Sequence, residues 1–212
     1  RPADAEHSFR QALALTPQSP DVWNNLGNAL QHLYRMSDAE AAYRQALALR
    51  PAFADACYNL GVVLGETGRL SDAIDAYVQA LQLDDANSAA LDELIHLMLR
   101  ACLWDGLPPL VDELLRRFRS GESDLNSFSL LDLPATAAEQ LQCAQRNAAR
   151  IQANVQMRYE HTPPTDWPAR IKVGYLSYDY RQHPVAFLIG ELFALHNRKE
   201  FEVFALAIGP DD

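Results

Sequence analysis

A register of 34 residues governs the first part of this chain. Leu26 recurs as Leu60, Gly27 as Gly61, Leu30 as Leu64, Ala39 as Ala73, Tyr43 as Tyr77 and Ala46 as Ala80. So many coincidences at one spacing exclude chance. Inside each unit the apolar residues follow helical spacing, which makes a unit a pair of helices that buries its apolar face only against neighbouring pairs. The chain is thereby restricted to a stack that grows in one direction.

The pattern resembles the tetratricopeptide repeat, with Trp23 at the first aromatic position and Pro51 closing the unit. An earlier half repeat fits through Ala5, Phe9, Ala12 and Pro17, so the chain opens in mid-repeat and further repeats are expected upstream. Gly27, Gly61, Ala39 and Ala73 are expected where paired helices approach closely, with Tyr43 and Tyr77 filling the gaps between neighbours. In Met36-Ser37-Asp38 and Leu70-Ser71-Asp72, Ser or Asp is expected to cap a helix start. One period later Ile95 replaces the glycine and Leu107, Val111 and Leu114 replace the second-helix residues, so the repeat decays towards a junction. Residues 1–119 are read as repeats, the last one degenerate. Residues 120–169 are read as a junction: a polar loop from Ser120 to Pro134 with one apolar patch around Phe128 and Leu130, a long helix and a Pro-rich linker. That helix carries Ala137, Leu141, Ala144, Ala148, Ile151 and Val155 along one face.

Asn25 and Asn59 share one repeat position, on the helix that lines the inner surface of a tetratricopeptide superhelix. Their amides can hydrogen-bond an extended peptide backbone without reading its side chains. The alternative is a polar residue tolerated on an exposed helix face. The next equivalent position is Glu93, where the row stops.

Charge narrows the partners. A net charge of -10 argues against nucleic acid and anionic membrane, because phosphate backbones need clustered Lys and Arg. The one basic cluster, Arg116, Arg117 and Arg119, suits a helix end. Cys57, Cys102 and Cys143 are odd in number and far apart, which disfavours a disulfide framework or a metal site and fits a cytoplasmic protein. No apolar run reaches the ~18 residues that span a bilayer.

From Arg170 the pattern changes. After the three prolines of residues 161–168 come a strand (Ile171 to Ser177), a loop (Tyr178 to His183), a helix (Pro184 to about His196) and a strand (Phe201 to Ile208). Residues 170–212 thus form one βαβ unit opening a parallel sheet, and ligands of such sheets bind beyond the carboxyl ends of the strands. The loop therefore lies where a cleft belongs. Pro184 suits the first helical position and puts His183 at the cap, where the helix dipole favours a neutral imidazole able to accept a proton. The other reading of His183 is a plain capping residue. Asp179 is a second acid–base candidate or an ordinary turn residue, and Tyr180 could line the cleft or belong to the core.

With both modules in view the chain resembles bacterial-type O-linked N-acetylglucosamine transferases. The resemblance runs through the repeats with Asn25 and Asn59, the junction Cys102-Leu103-Trp104-Asp105, the run from Arg170 to Tyr180, His183-Pro184 and the tail from His196 to Asp212. It implies a mostly helical superhelix followed by the start of an α/β GT-B lobe. It also implies inverting, metal-independent and cofactor-free transfer of N-acetylglucosamine from UDP-N-acetylglucosamine to Ser or Thr hydroxyls of proteins. His183 matches the family histidine proposed as base or active-site contact, and the asparagines match its acceptor-binding row. Phe187 stands where animal members carry a further histidine, which keeps the protein O-fucosyltransferase branch open as an alternative. A non-catalytic repeat scaffold is the other alternative. Protein acceptors and a nucleotide sugar are the implied partners, the repeats offer a route to oligomers, and a segment ending after the second strand is expected to be inactive alone.

Overall fold

The computed structural model describes residues 2–154, 170–177 and 190–207. It divides into two compact units, Arg1–Gln156 and Met157–Asp212, taken here one at a time.

The first unit is a helical stack. Its helices are α1 (Pro2–Leu15), α2 (Pro20–His32), α3 (Met36–Leu49), α4 (Ala54–Glu66), α5 (Leu70–Leu83), α6 (Ser88–Arg100), α7 (Leu107–Ser120) and α8 (Ala137–Asn154), with a 3-10 turn at Ser129–Asp132. Each of α2, α4 and α6 packs on the helix before it and the helix after it, while α2 also touches α4 and α4 touches α6. The first helices of the pairs thus stand side by side as one face. Their starts are written locally: Ser19 accepts from the Val22 amide ahead of Pro20, and Asn87 accepts from the Ala90 amide.

The rings of Tyr43 and Tyr77 each lie on the glycine of their own pair, Gly27 or Gly61. The Tyr43 hydroxyl also donates to Asn28 in α2 at 2.7 Å. The second helices α3 and α5 have no side-chain cap, because Arg35 and Arg69 occupy the cap positions and engage Asp38 and Asp72 instead. The same guanidiniums reach back to Glu6 and Glu40, each at 2.7 Å, so α3 is tied to α1 and α5 to α3. At the third turn of this register stand Leu103, Ile74 and Gly106, and the charged ladder ends.

A groove between successive second helices repeats with the same period. Arg10, Asp38 and Gln45 line the first copy, and Arg44, Asp72 and Gln79 the second. In the third, about 460 Å³, Val78 and Gly106 take the register positions of the arginine and the aspartate, and Ile74, Leu81 and Leu110 join them. Beside it Trp104 is 61% exposed.

In the last pair, Ile95 stands at the glycine position and Val111 at the tyrosine position, both buried. The bulk that one helix carries in the earlier pairs is shared here between both helices. After α7, which begins and ends at left-handed Gly106 and Gly121, the chain crosses back with Leu125, Leu130 and Leu133 buried. The loop read as polar is therefore anchored, although Phe128 is exposed. Helix α8 starts with a reciprocal box: the Glu139 amide donates to the Thr136 hydroxyl at 3.3 Å, and the Thr136 amide to the Glu139 carboxylate at 2.7 Å. It docks through Cys143 and Asn147, whose amide donates to Leu125 O at 2.8 Å. The apolar face read from the sequence is the open one, with Leu141 and Ile151 in solvent; Val155 lies outside the described residues.

The second unit holds β1 (Ile171–Ser177) and β2 (Phe201–Ala207), paired in parallel from Ile171↔Phe201 to Ser177↔Ala207. A short helix, α9 (Leu192–Leu195), precedes β2. A helical stack followed by a small parallel sheet is the fold class read from the sequence.

Candidate functional site

The face built by α2, α4 and α6 carries the asparagine row. Asn25 is exposed in a groove of about 400 Å³ with Phe9, Asn28 and His32. Asn59 is half-buried, and its Nδ2 donates to Oδ1 of Asn24 in α2 at 3.0 Å. The two positions that the register treats as equals therefore differ: Asn59 is tethered to the preceding repeat, whereas Asn25 makes no side-chain hydrogen bond among the described residues. Asn24 is the residue sequence reasoning missed. Its repeat equivalents are Tyr58 and Asp92, so no periodic signal marks it.

Further along this face lie Tyr58, Glu66, Asp92, Glu93 and His96. Burial holds the Asp92 carboxyl above its ordinary range even though the Ser129 hydroxyl donates to it at 3.0 Å. Desolvation and the Asp92 charge raise Glu93 as well. Burial, and then the Glu93 charge, push the Tyr58 hydroxyl up. His96 places Nδ1 3.8 Å from Asp92 and Nε2 4.0 Å from Asp132. This end of the face is acidic and joined to the junction segment, while the asparagine end is neutral. A backbone laid along it would meet amide groups first and carboxylates later.

In the second unit β1 and β2 are parallel, so both carboxyl ends, Ser177 and Ala207, point the same way. The chain leaves that edge at Ser177 and enters the segment carrying Asp179, Tyr180, His183 and Pro184. These four candidates lie outside the described residues. Tyr175 does not stand free for stacking: its ring meets Phe193 edge-on at 5.2 Å and its hydroxyl is 2.7 Å from His196 Nε2. His196 thus joins β1 to the residues after α9. Among the described residues no group of three His, Cys, Asp or Glu side chains could hold a metal ion, and no described helix is long and apolar enough to cross a membrane.

Known proteins resemble both parts. Residues 20–53 and 54–87 each match the tetratricopeptide repeat, and residues 128–212 match glycosyl transferase family 41. A probable UDP-N-acetylglucosamine–peptide N-acetylglucosaminyltransferase of Arabidopsis thaliana is 28% identical over 135 residues, covering 56% of this chain. The chain spans only 14% of that relative's length. Among solved structures, MamA protein is 25% identical with a TM-score of 0.52, covering 59% of this chain and 69% of its own. A variant of the Thermobaculum terrenum O-GlcNAc transferase has a TM-score of 0.51 at 23% identity. It covers 98% of this chain and 34% of its own, a likeness of fold.

Proposed function

We propose, for a chain that joins tetratricopeptide repeats to a glycosyl transferase family 41 segment, that it is the acceptor-gripping and leading catalytic portion of a protein O-GlcNAc transferase. The observation carrying this reading is the ordered combination itself: an inner face bearing Asn25 and Asn59, followed by family 41 residues that begin a parallel sheet. The repeats supply main-chain hydrogen bonding to a protein acceptor, and the α/β part supplies the transfer chemistry.

In that chemistry the Ser or Thr hydroxyl oxygen attacks the anomeric carbon of UDP-N-acetylglucosamine from the face opposite the nucleotide. The new C–O bond forms as the bond to the diphosphate breaks, so configuration inverts. The hydroxyl proton passes to neutral His183, the general base, and UDP departs with the bonding pair. Asp179, Tyr180 and Pro184 stand within four residues of His183 in the sequence and are the next candidates to act beside it. No metal or other cofactor enters this scheme, and the site of action is the cytoplasm.

The test uses the intact parent protein, wild type and His183→Ala, with labelled UDP-N-acetylglucosamine or GDP-fucose and a mixed protein pool. Label should pass from the UDP sugar into protein and fall ~10²-fold to 10⁴-fold in the variant, the usual worth of general-base help. Transfer from GDP-fucose alone would move the protein to the fucosyl branch. Wild-type turnover by the variant would remove His183 from the chemistry.

A further inference from the structure

We infer that Asn24 is a positioning residue of the acceptor face: it fixes the orientation in which the Asn59 amide is presented to a bound polypeptide. This rests on the acceptor-binding reading above and deepens it.

A free asparagine side chain offers a carbonyl acceptor on one side and an NH₂ donor on the other, and exchanges them by rotating. Such a residue meets a backbone N–H and a backbone C=O alike. Asn59 lacks that freedom. Its Nδ2 donates to Asn24 Oδ1 at 3.0 Å, across the contact between α4 and α2. Asn24 itself is 7% exposed, so this acceptor sits in the wall between two repeats. With one Nδ2 hydrogen committed to α2, the Asn59 amide is held in one orientation, and its Oδ1 and second Nδ2 hydrogen are left for a backbone N–H and a backbone C=O of a ligand.

Asn25 carries no such tether and stays ambivalent. One step further the same pair of positions holds Tyr58 and Glu93, and Glu93 offers only acceptor oxygens when ionised. At Asn59 the face thus offers a donor and an acceptor at fixed places, which gives a polypeptide laid on it a preferred register. The substrate class is an extended, unfolded segment whose backbone N–H groups are free.

Binding of fluorescein-labelled dephosphorylated casein, an unfolded Ser-containing polypeptide, to the intact parent protein tests this by anisotropy. Four proteins are compared with wild type: Asn24→Leu, Asn24→Asp, Asn59→Ala and the double variant Asn24→Leu/Asn59→Ala. Asn24→Leu should weaken binding about three- to tenfold, the worth of one oriented hydrogen bond, and Asn59→Ala by a similar factor. The double variant should be no worse than either. Asn24→Asp, which can only accept, should bind as wild type does, a rescue that a mere packing role would not produce because both single variants disturb the same buried site. Thermal midpoints of all five proteins separate loss of binding from loss of fold. Asn24→Leu with wild-type affinity beside a weakened Asn59→Ala, or Asn24→Asp as weak as Asn24→Leu, would overturn the positioning role alone. An Asn59→Ala protein with unchanged affinity, or a wild type that leaves casein unbound, would overturn the acceptor reading and this inference with it.

Discussion

Gly27 lies flat against the ring of Tyr43, at the closest approach of α2 and α3. In the next pair a Cβ on Gly61 would sit 2.7 Å from Tyr77 Cε1, and Gly27 stands as close to its own tyrosine. Both rings are fully buried, so they cannot swing into solvent to make room. Gly27→Ala should therefore destabilise the stack by ~1–3 kcal/mol through overpacking, offset in part by the ~1 kcal/mol that alanine gains over glycine in a helix. The last pair shows the remedy, since Ile95 and Val111 hold these positions in reversed sizes. Urea denaturation of Gly27→Ala, Tyr43→Val and the double variant should give a favourable coupling of about 1 kcal/mol or more, as residues in direct contact do. Strict additivity would mean that the glycine–tyrosine contact does not set the helix spacing.

The register made much of this legible. Gly27, Ala39 and Tyr43 had to lie inside because their spacing is helical and their sizes complementary, and the strand pairing of Ile171 with Phe201 follows from two apolar runs separated by a crossover. What stayed hidden depends on partners that do not repeat. Asp38 reads as a cap until Arg35 takes it, and Asn24 reads as filler until Asn59 reaches across. The docking face of α8 was not legible because periodicity shows that an apolar stripe exists but not which neighbour meets it. Small Cys143 and polar Asn147 dock instead, through hydrogen bonds to Leu125 O.

Docking of α8 should depend on acid pH. The Arg119 guanidinium, at 2.7 Å, and then the Thr136 amide and hydroxyl hold the Glu139 carboxyl at about 2, well below the ordinary carboxylate range. A folded-state value below the unfolded one contributes stability that is present above the unfolded value and is lost as pH falls towards the folded one. The window is thus from about 5 down to about 2. Protection factors of the amides at residues 125–147, which are taken relative to the intrinsic exchange rate at each pH, should fall across it in wild type. In Glu139→Gln they should be lower at neutral pH and nearly flat with pH, the two proteins converging at the acid end. Parallel curves would assign the pH dependence to other carboxylates.

The third groove between second helices departs from its two predecessors in losing the arginine and aspartate of the register, with Asp105 the one charged side chain in its lining among the described residues. Where Arg44 and Asp72 line the second copy, Val78 and Gly106 line the third, and Leu103 and Ile74 replace the arginine and glutamate of the ladder. Exposed apolar surface in a concave site binds uncharged apolar dyes, whereas a charged side chain in the lining disfavours them. Val78→Arg restores the side chain that the register supplies elsewhere, at a position already 38% exposed, so the fold should tolerate it within the usual range for surface changes. Its binding of the uncharged dye Nile red should fall severalfold below wild type. Arg44→Val, the reverse change in the second groove, should raise dye binding while leaving the third groove as it is. Equal dye fluorescence in all three proteins would mean that the apolar surface reporting to the dye lies elsewhere, with Leu141 and Ile151 on α8 the next residues to change.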